Sequence, residues 1–110
     1  MSFFNSDIVR YEMEEITKLQ EVIYENVFKF PFMSMKDKED HIDILHNLLE
    51  KQKILYTRLS LSEDSEAKVM KEKIIESAIS MGLSKSVDMN ILFNKMSEII
   101  QLMKTQVKEP

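Results

Sequence analysis

"HIDILHNLLEKQKILYTRL", residues 41 to 59, decides the fold. Ile42, Leu45, Leu49, Gln52, Tyr56 and Leu59 recur in steps of three and four, with Leu48 and Leu55 widening the stripe. Such spacing returns to one face of a 3.6-residue turn, whereas a half-buried strand needs strict alternation. The stretch therefore predicts an amphipathic helix. Ser34 can cap its start, giving a helix over 35–60 that is the longest in the chain, roughly 25 residues or about 37 Å.

The same period extends in both directions. Upstream, Val9, Met13, Ile16, Gln20, Ile23 and Val27 form a seam flanked by Leu19, and Asn5, Ser6 or Asp7 can cap it, which predicts a helix over 7–28. Downstream, Ser62 reads as a cap, and Glu63, Asp64 and Glu66 set negative charge against the positive end of a helix over 63–81. Ala67, Met70, Ile74, Ala78 and Met81 carry its apolar face. Gly82 stands where a helix end calls for left-handed backbone, with Leu83 placed to pack back. Ser84 or Ser86 then opens a last helix over 86–107. Met89, Leu92, Met96, Ile99 and Met103 lie on one line, and Phe93, Ile100 and Val107 on the next. Lys104 and Lys108 suit its C-terminus. No segment has a strand signal. The expectation is an all-α single domain over 1–110: an antiparallel helical hairpin plus two further helices, bundle-like and completed by dimerisation.

Composition removes whole classes of chemistry. With 15 Lys and Arg against 19 Asp and Glu the chain is mildly acidic, which argues against a dedicated nucleic-acid binder. It has no cysteine, so disulfides, thiolate zinc sites and cysteine nucleophiles are out, and a reducing cytoplasm fits. A single glycine is too few for a phosphate-cradling loop or a dinucleotide fingerprint. No run reaches the roughly 18 apolar residues of a membrane span, and the N-terminus lacks the pattern of a secretion signal. The expectation is a soluble, unprocessed protein.

His41 and His46 are the only histidines and fall about 140° apart on a helix, so they cannot act as one local metal pair. Asp43 and His46 have the carboxylate-x-x-His spacing of di-iron bundles, but a second such motif is missing. Asp37, Asp40, His41 and Asp43 read as a solvated face. Glu14 with Lys18, and Glu25 with Lys29, read as i,i+4 pairs. Every serine of note has a capping explanation and no partner base. The reading is that of a protein that is not an enzyme and takes no metal, cofactor or small-molecule substrate.

Four features point to surfaces instead. In "VFKFPFMSM", residues 27 to 35, Pro31 forces Phe30 out of helical geometry, so the first helix ends by about Phe28. One or two of the three rings cap the bundle, and at least one of Phe30 or Phe32 is expected at an intersubunit or partner contact. Phe3 and Phe4 add a second aromatic pair. Met89, Met96 and Met103, each seven apart, read first as a core seam and alternatively as a soft docking groove. Gln20 and Gln52 interrupt apolar seams, either to fix register or as wet spots.

"SFFNSDIV" at residues 2–9, "RLSLSEDSEAK" at 58–68, and "MGLSKSVDMNILFNKM" followed by "MKTQ" resemble, in order and spacing, the cyanobacterial family called domain-of-unknown-function 1825. The resemblance covers nearly the whole chain. Its best pieces are Phe3 and Phe4 followed by Ser6 and Asp7, and the run Leu61, Ser62, Glu63, Asp64. It implies a cytoplasmic setting in a photosynthetic host or its phage, and carries no catalytic or cofactor residues. The aromatic, proline-containing first loop departs from the family's more polar one.

Together these features favour a non-enzymatic, self-associating helical module that binds a host protein, as an adaptor or a modulator of host machinery. Its contact residues would be Phe3, Phe4, Phe30, Phe32, Met89, Met96 and Met103. One alternative is a nucleic-acid-associated regulator using Lys95, Lys104 and Lys108 of the basic last helix, which steep salt dependence would reveal. Another is a carboxylate-lined metal-binding bundle, which co-purifying metal would reveal.

Overall fold

A computed structural model describes residues 3–80 and 88–108. Four α-helices dominate: α1 (Asp7–Asn26), α2 (Met35–Leu61), α3 (Ser65–Ser80) and α4 (Met89–Lys108), with 3-10 turns at Phe3–Asn5 and Phe30–Phe32. No strand occurs among the described residues, and the fold is all-α. Met81, Gly82, Leu83, Ser84 and Ser86, to which sequence reading gave a helix end, a stop and a new cap, lie outside the described residues, as does the side chain of Ala78.

Helix ends follow from local hydrogen bonding. Ser34 Oγ accepts the Asp37 N–H at 3.1 Å, so the expected cap opens α2. The cap of α3 is not Ser62. Asp64 takes that role: its Oδ1 accepts the Glu66 N–H at 3.0 Å and its carbonyl accepts the Lys68 N–H at 3.1 Å. A carboxylate satisfies the orphan amides and the helix dipole together, which a hydroxyl does less well. Ser62 closes α2 and shapes the turn, its Oγ accepting the Asp64 N–H at 3.1 Å. Asp88 opens α4 in the same way, accepting the Asn90 N–H at 2.9 Å. Ser6 stands at the N-cap of α1 without a side-chain capping bond. At its other end α1 stops at Asn26, two residues short of the expected Phe28.

α2, about 40 Å long at the usual rise, is the central element. α1, α3 and α4 all pack on it, and α1 and α4 scarcely touch each other. The core combines Val9, Ile16 and Ile23 of α1, Ile42, Leu49 and Leu59 of α2, Ala67 of α3, and Met89, Phe93 and Ile100 of α4. Tyr56 and Phe93 meet with ring centroids 5.8 Å apart. On α4 burial cuts across the two expected lines, and Met89 of the first is buried. Phe93 and Ile100 of the second line are buried, while Met96 and Ile99 of the first are exposed. Two surface ion pairs bind the flanking helices to α2: Arg58 Nε donates to Glu12 Oε1 at 3.1 Å, and Lys104 Nζ donates to Asp43 at 2.9 Å. Lys18 pairs with Glu15 at 3.9 Å rather than with the expected Glu14.

The molecule is thin and open, measuring 50 × 32 × 19 Å. Its radius of gyration is 15.9 Å, against about 13 Å for a compact chain of this length. Among the described residues, a central helix flanked by two helices that do not close on each other leaves one side of the layer uncovered.

Candidate functional site

That uncovered side is an apolar groove of about 570 Å³. Gln52, Leu55, Tyr56 and Leu59 of α2 line it together with Met13 and Ile16 of α1 and Leu92 and Met96 of α4. Phe3 and Phe4, Met70 and Ile74 of α3, and Met89 and Phe93 of α4 complete the described lining. The two phenylalanine rings meet edge to face, 5.1 Å between centroids. They are held by the Phe3 N–H, which donates to the Asp64 carboxylate, so the residue that caps α3 also anchors the N-terminal turn. Among the described residues no charged side chain lines the groove, and Gln52 and Tyr56 carry the polar side-chain groups there.

Five of the residues singled out in the sequence therefore meet in one place: Phe3, Phe4, Gln52, Met89 and Met96. The methionine line is neither all core nor all groove. Met89 is buried, Met96 is exposed at the groove, and Met103 is half-buried in a separate recess of about 420 Å³ beside Phe30, Met35 and Lys38. Gln20 is half-buried on α1 and lines neither cavity. Sequence reading missed Met13, Leu55 and Met70 as groove residues. Each sits on or beside an apolar seam, and periodicity alone assigns such positions to the core.

The loop between α1 and α2 sends its rings in opposite directions. Phe30 turns in, packs against the main core cluster and lies 5.3 Å from His41 between ring centroids. Lys38 Nζ sits 5.6 Å from the Phe30 centroid, within cation–π range. Phe28 and Phe32 turn out and are 88% and 90% exposed.

His41 does not belong to a solvated face. It is only 6% exposed, its Nδ1 finds no partner, and burial pushes its pKa below the ordinary 6.5. The reason is Phe30, whose ring covers it; the loop's path is not readable from the helical period of α2. His46 also has a buried, unpartnered Nδ1. Asp43, the other half of the carboxylate-x-x-His spacing, is held by Lys104, and that hydrogen bond raises the Lys104 pKa. Among the described residues no three His, Asp or Glu side chains are grouped to hold a metal ion. Nor is any described helix long and apolar enough to cross a membrane.

A family model described as domain of unknown function (DUF1825) matches residues 1–107. The chain belongs to this family. The DUF1825 match takes in all four helices, the groove and the aromatic loop. No curated protein and no solved structure matches the chain.

Proposed function

We propose that this DUF1825 chain is a non-enzymatic helical interaction module, a cytoplasmic adaptor or modulator of host machinery in a cyanobacterium or its phage. The observation that carries the reading is the groove: a large apolar surface whose described lining holds no titratable group except the Tyr56 phenol. Catalytic clefts bring acids, bases or nucleophiles together, whereas contiguous apolar surface marks protein contact. α1 and α2 serve as the scaffold, an antiparallel hairpin in which Glu12 near one end of α1 meets Arg58 near the far end of α2. At the tip of that hairpin Phe28 and Phe32 offer a second apolar contact.

The test is affinity capture from cyanobacterial lysate, with and without infection, using the intact chain and a Met96→Lys variant, which places a charge in the groove. The expected result is a protein partner that the natural chain retains, that the variant loses, and that moderate salt does not release. Capture of nucleic acid with steep salt dependence would contradict the reading. The basic last helix is less available for that role than its composition implies, because Lys104 is already paired with Asp43.

A further inference from the structure

We infer that the end of the α1–α2 hairpin docks on an anionic lipid surface, with Phe28 and Phe32 dipping into the interface and Lys29 and Lys36 at the headgroups. This gives the second apolar contact of the interaction module its partner, and the groove reading stands without it.

The rings stand out from the protein. Phe28 is 88% and Phe32 90% exposed, and beside them Val27 and Met35 are 47% and 59% exposed. A phenylalanine carries about 150 Å² or more of apolar surface, so the two rings alone put about 300 Å² into water. That reaches the range of the largest apolar patch on a typical monomer, gathered here within residues 27–35.

The backbone beneath them is held. The Lys29 N–H donates to the Asn26 carbonyl at 3.0 Å, Phe32 to Lys29 at 2.9 Å and Met33 to Phe30 at 3.1 Å. Pro31 fixes its own φ inside this turn, and Phe30 anchors the turn on the core cluster. Docking the outward rings therefore orders little that is not already ordered.

Charge decides the partner. A chain with net charge −4 is repelled as a whole by an anionic surface and can approach it only through a basic end. Over residues 26–38 the balance reverses, with Lys29, Lys36 and Lys38 against Asp37 alone. Lys29 and Lys36 are exposed, while Lys38 leans on the Phe30 ring. Glu25 on α1 and Glu39 and Asp40 on α2 lie further back along their helices, and Asp43 is held by Lys104. α4 ends with Lys108 at this same end, since its Val107 lines the recess beside Phe30 and Met35. At an anionic interface rings enter the headgroup–acyl boundary while ammonium groups stay at the phosphates. A bilayer also accepts protruding side chains without a complementary pocket. No described helix is long and apolar enough to cross a membrane, so the contact is peripheral.

The chain has no tryptophan, so Phe32→Trp sets a single fluorescent reporter at the tip. Leu61→Trp, at a position 79% exposed at the far end of α2, serves as the control. The full chain is titrated with vesicles of phosphatidylcholine alone and of phosphatidylcholine mixed with phosphatidylglycerol, and bound protein is measured by cosedimentation. The expected result is a blue shift of Phe32→Trp emission on the mixed vesicles, none for Leu61→Trp, and weaker binding as salt rises. Phe28→Ser/Phe32→Ser should keep the helical circular dichroism, since both rings are in water, and bind at least about tenfold less. Lys29→Glu/Lys36→Glu should also lose about tenfold or more. Equal shifts at both tryptophans, undiminished binding by the helical serine variant, or binding that ignores lipid charge overturns the inference. Absence of binding to the mixed vesicles overturns it too, makes the tip a protein contact and leaves the groove reading intact.

Discussion

The Phe30 ring lies 5.3 Å from the His41 imidazole, and this contact joins the α1–α2 loop to the first turns of α2. Phe30 covers an imidazole whose Nδ1 has no partner, so the histidine is kept neutral by burial. The unfolded chain releases it to its ordinary pKa of 6.5. Between the lowered folded value and 6.5 the unfolded state binds more protons, so stability is full above that range and falls as pH drops through it. Urea midpoints at about pH 7.5 and about pH 5.5 check this. The natural chain should lose more than His41→Leu over that interval. Equal losses would show that His41 carries no such linkage.

The two directions of the loop's rings separate stability from surface. Phe30→Ala should cost about 2 kcal/mol, because it opens a space against the core cluster. Phe28→Ser and Phe32→Ser should each change stability by less than about 0.5 kcal/mol, since both rings are in water. Denaturant midpoints of the three variants give the comparison. A large loss from Phe32→Ser would place that ring in an interface the isolated chain does not show.

Glu12 accepts from Arg58 on one carboxylate oxygen, while the other is buried without a partner. Removing Arg58 leaves that carboxylate with its burial and no compensating charge. Arg58→Ala should therefore cost about 1 to 2 kcal/mol, above the usual surface pair. The double variant with Glu12→Leu should recover part of the loss. A double-mutant cycle with no coupling would show that the pair contributes nothing.

Period made the helices legible because burial repeats along α2 and α1: Ile42, Leu49 and Leu59, and Val9, Ile16 and Ile23, were all on the expected faces. It could not say which apolar side chains lack a neighbour. Met96 and Ile99 have the same period as core residues, yet α1 and α4 do not close over them. Phe3, Phe4 and Gln52 stood out individually; that they share one groove depends on the Phe3–Asp64 bond, a contact between distant parts of the chain. The cap of α3 is Asp64 rather than Ser62 because both side chains can accept an amide hydrogen bond, and only the path of the turn between them decides which one meets the helix start.

That correction is itself testable. Asp64 caps α3 and holds the N-terminal turn, so Asp64→Ala should cost about 1 kcal/mol or more and also loosen Phe3 and Phe4. Ser62→Ala should cost less, since its hydroxyl supports only the turn. Thermal melts of the two variants rank them. The reverse order would restore Ser62 as the cap.

The central claim is that this chain is a self-associating interaction module. Light scattering of the natural chain across a concentration series reaching tens of micromolar tests it most directly. The account predicts a species of twice 13.0 kDa, with the mass falling only on strong dilution. A sharp mass of 13.0 kDa, unchanged across the series, would contradict it.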